Sequence, residues 1–97
     1  MQIKYSKKFL KACNKLHQNQ KNELKEIINK LIDNPYLGKN KVGILDYIRV
    51  YKFSLVNNLT LLAYSYHEEQ IILELIKLGP RQNFYKDLEN ELKRSDN

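Results

Sequence analysis

Apolar positions divide the chain into stretches of two different periods. Leu24, Ile27, Ile28, Leu31 and Ile32 follow the i, i+3, i+4, i+7, i+8 spacing of a helix with one buried face. A shorter stripe of Phe9, Cys13 and Leu16, with Leu10 beside it, predicts an earlier helix that Ser6 can cap. Asp33-Asn34-Pro35 ends the longer helix, because the residue before a proline is pushed out of the helical region. The polar segment 17–20 predicts a connector short enough to make the two helices antiparallel neighbours.

Elsewhere the period falls to two. Residues 1–5 alternate, with Ile3 and Tyr5 on one face, and 36–41 read as a loop holding Gly38. Residues 44–56 are rich in Ile, Val, Tyr and Phe and predict a strand, with Asn57-Asn58 as a hairpin turn and 59–66 as the next strand. After a turn at 67–69, residues 70–78 are apolar on both faces. Ile71, Leu73 and Leu75 share one face and Ile72, Ile76 and Leu78 the other, as suits an interior strand covered on each side. Gly79-Pro80 breaks this strand, and Pro80 suits the first position of a helix that continues through 83–93 with Phe84, Leu88 and Leu92 on one stripe. The predicted order is β-α-α-β-β-β-α. It describes one α+β domain over 1–97: a small, antiparallel-dominated sheet with two N-terminal helices packed on one face and a C-terminal helix.

Charge changes the picture. The net charge is +6, and it is unevenly spread. Residues 1–41 hold ten lysines against Glu23, Glu26 and Asp33, a balance of +7, whereas 42–97 balance at −1. An anionic partner is the expectation. The single Cys13 forms no internal disulfide and fits the helical apolar stripe as a core thiol. No Cys/His cluster has metal-ligand spacing, so neither a metal nor a cofactor is expected. No apolar run approaches a signal peptide or the ~20 residues of a membrane span. A cytoplasmic protein is the expectation.

Few residues remain for chemistry. There is no Ser-His-Asp set, no paired carboxylate motif, and too few glycines for a phosphate loop. His17 and His67 fall in turns. The candidates are cations and phenols: Arg49, Lys52, Arg81 and Tyr85, with Lys77 and Lys86 nearby and Lys39 and Lys41 in the loop. Arg81 and Tyr85 lie four apart, which makes them neighbours at the start of the last helix. Arg49 interrupts an apolar strand, so it either pairs with a carboxylate such as Glu74 or turns toward an anionic ligand. Lys52 alternates to the face opposite Arg49 in a regular strand.

The order of elements, the stretch DYIRVYKF and the ending LGPRQNFYKDL resemble the RelE/ParE superfamily of small toxins from type II toxin–antitoxin systems. RelE-like members end the last strand in Gly-x-Arg followed by an aromatic pair, matched by Gly79-Pro80-Arg81 and Phe84-Tyr85. Their basic residues on the first meander strand are matched by Arg49 and Lys52. The resemblance implies a metal-free endoribonuclease that cuts mRNA in the ribosomal A site and is silenced by a cognate antitoxin. Arg81 would then face the developing phosphate charge, Tyr85 and Lys52 would move protons beside Arg49, and Lys77, Lys86, Lys39 and Lys41 would contact RNA. The chain departs from the pattern in one respect: it lacks the Arg entering the second meander strand, where Thr60 stands. That departure implies the alternative of a ParE-like gyrase inhibitor, or of a non-nucleolytic antitoxin-binding domain.

Overall fold

A computed structural model describes residues 1–40 and 47–95. Its elements are β1 (Gln2–Tyr5), α1 (Lys7–Asn14), α2 (Gln18–Asp33), β2 (Lys39–Asn40), β3 (Arg49–Leu55), β4 (Asn58–His67), β5 (Ile72–Pro80) and α3 (Phe84–Ser95). The five strands form one sheet in the order β1-β5-β4-β3-β2. β1 joins the edge parallel to β5, and the other pairs are antiparallel. The α+β class and the helical hairpin on one face are as expected. The two-residue β2 is an addition to the expected order. The expected strand at 44–56 begins among residues that lie outside those described, as does Lys41.

α1 and α2 cover one face of the sheet. Phe9, Leu24, Ile27 and Leu31 pack there against Phe53, Leu55, Leu62, Tyr64, Leu73, Leu75 and Leu78. Cys13 lies half-buried at this core, and burial pushes its thiol pKa up against the smaller pull of Lys21. Leu10, expected beside the stripe, is exposed instead. The connector is shorter than expected, because His17 already caps α2 and its N–H donates to Gln20 Oε1 at 2.8 Å. α3 covers the other face with Phe84 and Leu88, over Ile48, Val50, Leu61 and Ala63. Among the described residues no helix is long and apolar enough to cross a membrane.

Strict alternation fails in β5. Ala63 pairs with Lys77 and Tyr64 with Leu75, so Ile76 has no partner on β4. This bulge puts Ile76 and Lys77 on the α3 side and returns Leu78 to the face of Leu73 and Leu75. Ser6 secures it: its N–H donates to the Leu75 carbonyl at 2.9 Å and its hydroxyl donates to the carbonyl of Ile76. The same oxygen accepts the Phe9 N–H at 3.0 Å, capping α1. β5 runs through Pro80, so that proline ends a strand and does not begin a helix.

The β3–β4 turn sits one residue earlier than the sequence implies. Leu55 pairs with Asn58, leaving Val56 (φ 45°) and Asn57 (φ 68°) as a two-residue turn of the kind whose twist matches the strands. Val56 is a costly residue for that backbone. Glu23 Oε1 accepts its N–H at 3.1 Å and ties the turn to α2.

The segment from α2 to β2 is fixed by Tyr64, which is fully buried. Its hydroxyl donates to the Pro35 carbonyl at 2.8 Å and accepts the Gly38 N–H at 2.8 Å. Gly38 is glycine by close approach, since a Cβ there would stand 2.8 Å from the Tyr64 ring and hydroxyl. Burial pushes the Tyr64 phenol pKa up, so the hydroxyl keeps the proton it donates. Tyr64→Phe strands two backbone groups at ~1–3 kcal/mol each. It should cost about 2–4 kcal/mol in urea unfolding, or roughly 10 °C or more in Tm for a domain of this size. A loss under about 1 kcal/mol would mean that water reaches the loop and replaces the phenol.

Candidate active site: a basic cleft between α3 and the edge of the meander

Even-numbered residues of β3 turn toward α3, as buried Val50 does, and Lys52 follows with its side chain exposed. Lys39 reaches the same place from β2, because it pairs with Val50 at the sheet edge. α3 supplies Tyr85 from its first turn, half-buried and edge-on to Phe84, whose ring is buried in the core. Lys39, Lys52 and Tyr85 line one cavity of about 470 Å³ with Leu37, Asn40, Val50 and Tyr51. A volume of that order is within the range of small-ligand sites. Two ammonium groups and a phenol around it suit an anionic ligand with a transferable proton, such as a phosphodiester.

Arg81 stands beyond this cleft at the end of β5. Lys52, Leu61 and Gly79 form one row across the sheet. Their backbones span about 10 Å across two strand spacings. Arg81 follows two residues past Gly79, exposed, in the turn before α3. Its carbonyl accepts the Phe84 N–H at 3.2 Å, and Asn83 takes a positive φ of 59° to start the helix. Arg81 and Tyr85 are thus not successive turns of one helix, which corrects the spacing argument. Lys86 is exposed on α3 beside Tyr85.

Two other candidates are elsewhere. Arg49 lies on the opposite face from Lys52 and pairs with no carboxylate among the described residues. Its guanidinium donates to the Gly38 carbonyl at 2.7 Å and the Tyr36 carbonyl at 3.3 Å, and lies 5.0 Å from the Tyr36 ring centroid. It closes the loop that Tyr64 holds from within. Lys77 is bound to Glu91 at 3.0 Å, with Lys8 on the same carboxylate oxygen at 3.4 Å, and stands 5.7 Å from the Phe84 ring centroid. Thr60 is buried on the α1 side, so an arginine there would not face the cleft. The α3-facing positions of β4 are Leu61 and Ala63, both buried in the core beside Phe84 and Leu88. His17 caps a helix, and His67 Nε2 meets Ser65 Oγ at 3.2 Å.

Sequence reasoning missed Asn40 and Leu37 in the cleft wall, since a two-residue strand carries no period to detect. If Arg49 holds the loop, Arg49→Ala should lower stability by ~1.5–3 kcal/mol, the range for hydrogen bonds to a charged group. Lys52→Ala, at an exposed position, should stay within about 0.5 kcal/mol of the parent. Paired urea melts check this, and equal losses for the two variants would refute the division of labour.

A family model described as the ParE-like toxin of type II bacterial toxin–antitoxin systems matches residues 3–89. No curated protein matches the sequence. Among solved structures, a mutant of the Escherichia coli toxin RelE in the free state superposes with a TM-score of 0.70 at 21% identity, covering 96% of this chain and 95% of that one. RelE in the intact E. coli RelBE toxin–antitoxin complex gives 0.67 at 21% identity, covering 84% and 96%. The archaeal RelE–RelB complex from Pyrococcus horikoshii OT3 gives 0.60 at 19% identity, covering 84% and 94%. At such identities the likeness is one of fold.

Proposed function

Because the chain belongs to the ParE-like toxins of type II bacterial toxin–antitoxin systems, we propose that it is the endoribonuclease kind of toxin, cutting mRNA on the ribosome until an antitoxin binds it. The observation that supports this reading is the meeting of Lys39, Lys52 and Tyr85 around one cleft, with Arg81 at the end of the neighbouring strand row.

RNA brings its own nucleophile. The 2′-oxygen attacks the adjacent phosphorus, the bond to the 5′-oxygen breaks, and a 2′,3′-cyclic phosphate is left. One proton leaves the 2′-hydroxyl and one reaches the departing 5′-oxygen. Fixed cations act where negative charge develops on the phosphate, and removing one such group costs ~2.7–4 kcal/mol in the oxyanion sites where this has been measured. Arg81 has the planar fork that grips two phosphate oxygens. Lys52 and Tyr85 are the proton carriers of the cleft, and Lys39 holds the adjoining phosphate. Proton transfer through a phenol and an ammonium, with no imidazole or carboxylate in the described cleft lining, is slow unless the ribosome organises the RNA.

The second reading is a protein-binding toxin directed at gyrase. It draws support from β4, whose α3-facing residues Leu61 and Ala63 are apolar and buried and so add no cation to the cleft.

Tyr85→Phe separates the roles of the phenol. Proton transfer predicts a fall in cleavage of ~10²–10⁴-fold with the fold intact. Stacking on a base predicts near-parental activity for Phe and loss only with Ala. Arg81→Ala, at an exposed turn, should remove growth arrest and leave Tm unchanged. Mapping mRNA 5′ ends on translating ribosomes after induction is the assay. Growth arrest that persists in Arg81→Ala with uncut mRNA and impaired supercoiling assigns the protein to the gyrase branch.

A further inference from the structure

An exposed leucine needs no explanation by itself, since single apolar residues are common on protein surfaces. Leu37 differs in how it is held and in what surrounds it. Its side chain is 41% exposed and belongs to neither described core cluster. The backbone beneath it is nevertheless fixed on both sides. The Tyr36 carbonyl accepts from the Arg49 guanidinium at 3.3 Å, and the Gly38 carbonyl accepts from the same group at 2.7 Å. The Gly38 N–H donates to the Tyr64 hydroxyl at 2.8 Å, and the Leu37 N–H donates to the Asn34 carbonyl at 3.2 Å. A rigid loop therefore presents this leucine in the lining of the cleft, beside Lys39, Lys52 and Tyr85.

We propose that Leu37 is the base-contacting residue of this cleft, its side chain covering one face of a nucleobase while Lys39 and Lys52 hold the phosphate of the same nucleotide. The proposal rests on the nuclease reading for the reaction and names the part of the substrate that fills the cleft. Two ammonium groups answer the charge of a phosphate and leave the flat face of a base without a partner. Leucine has no polar atom, so it serves only the apolar part of a ligand. In a nucleotide the broad apolar surface is the base face. The cavity, about 470 Å³, lies low in the range of small-ligand sites and suits one nucleotide better than a run of them. Tyr85 enters from α3, so a base resting on Leu37 lies between the loop and that helix. Because the loop is already pinned, little freedom is lost when the base docks. A purine buries more of the leucine than a pyrimidine does, and the gain grows with the area buried. A purine is therefore the preferred base beside the cut. An apolar protein surface laid on Leu37 would desolvate Lys39 and Lys52 next to it, a cost that a phosphate offsets.

The probes are adenosine monophosphate, cytidine monophosphate and inorganic phosphate, titrated into the full chain while the Leu37 methyl signals are followed in ¹³C spectra. Adenosine monophosphate should shift those methyls, and cytidine monophosphate should bind more weakly. Phosphate should shift the Lys39 and Lys52 amides and leave the methyls in place. Leu37→Ala should weaken the binding of adenosine monophosphate roughly tenfold, the low end for apolar groups of a pocket, with phosphate binding and Tm as in the parent. Leu37→Phe should bind it at least as tightly as the parent does, because an aromatic ring stacks on a base. Parental affinity in Leu37→Ala, methyl shifts with phosphate alone, or equal losses in the Ala and Phe variants would each overturn the proposal. A cellular arm separates this claim from the nuclease reading. In mRNA 5′-end maps the parent should favour a purine beside the cut, and Leu37→Ala should cut less, with that preference reduced. A preference unchanged in Leu37→Ala overturns the role given to the leucine. A parent chain that cuts no mRNA refutes the nuclease reading, and the titrations then decide the pocket by themselves. Growth arrest abolished by Leu37→Ala, in a chain whose parent binds neither nucleotide, overturns the pocket and assigns the leucine to a protein partner.

Discussion

A buried phenol between two backbone groups holds the cleft in place. Tyr64 comes from the middle of a central strand, and its hydroxyl satisfies the Pro35 carbonyl and the Gly38 N–H at once. Such groups are costly to bury alone. With them paired, the chain can pass under the sheet edge and pair Lys39 with Val50. Arg49 closes the same loop from the outside through the Gly38 and Tyr36 carbonyls. Tyr36 then packs edge-on against Tyr66 and donates a hydrogen bond to Glu68, which is the main reason the Tyr36 phenol pKa is pushed up to about 12. One short loop is thus pinned to β3, to β4 and to the turn after β4. The placement of the Lys39 ammonium depends on those pins, because two residues of edge strand have little hold by themselves.

The second wall depends on a different irregularity. The extra residue in β5 lets one strand serve two unlike layers, with leucines toward the helical hairpin and Ile76 and Lys77 toward α3. Ser6 takes up the carbonyl that the bulge leaves over. Lys77 on the α3 side meets Glu91, and with buried Phe84 and Leu88 this sets how α3 lies over the sheet. Tyr85, next to Phe84, is aimed by that packing. The cleft therefore joins a wall fixed by hydrogen bonds to a wall fixed by apolar burial and one ion pair.

Much of this was legible from residue order. The stripe from Leu24 to Ile32 is the buried face of α2, Ser6 does cap α1, and Phe84, Leu88 and Leu92 line α3 as their spacing implies. Lys52 and Tyr85 were found as candidates because little else in the chain can do chemistry. What escaped has physical causes. Alternation assigns faces only to regular strands, so one unpaired residue at Ile76 put Leu78 on the wrong side. β2 is too short to have a period. The turn at Val56 uses a residue that favours neither positive φ nor tight hairpins, so Asn57-Asn58 looked the better pair. Arg49 pointed to either a carboxylate such as Glu74 or an anionic ligand, because charged partners are what a sequence suggests, whereas its acceptors in the fold are main-chain carbonyls that every residue has.

The parallel pairing of β1 with β5 governs the order in which the molecule comes into being. Gln2 lies beside Ile72 and Ser6 holds Ile76, contacts about seventy positions apart along the chain. Contacts of such sequence separation form slowly, since a long loop must close before anything is gained. On a chain emerging from the ribosome, the first strand has no mate until β5 is free. Ser6 can cap α1 through the Phe9 N–H from the start, but its hydroxyl meets the Ile76 carbonyl only then. The helical hairpin, built from near neighbours, can gather early as a loose basic unit. The cleft belongs to the end of this sequence of events, because Tyr85 is made after every strand. The cleft is thereby completed only with the last element of the chain.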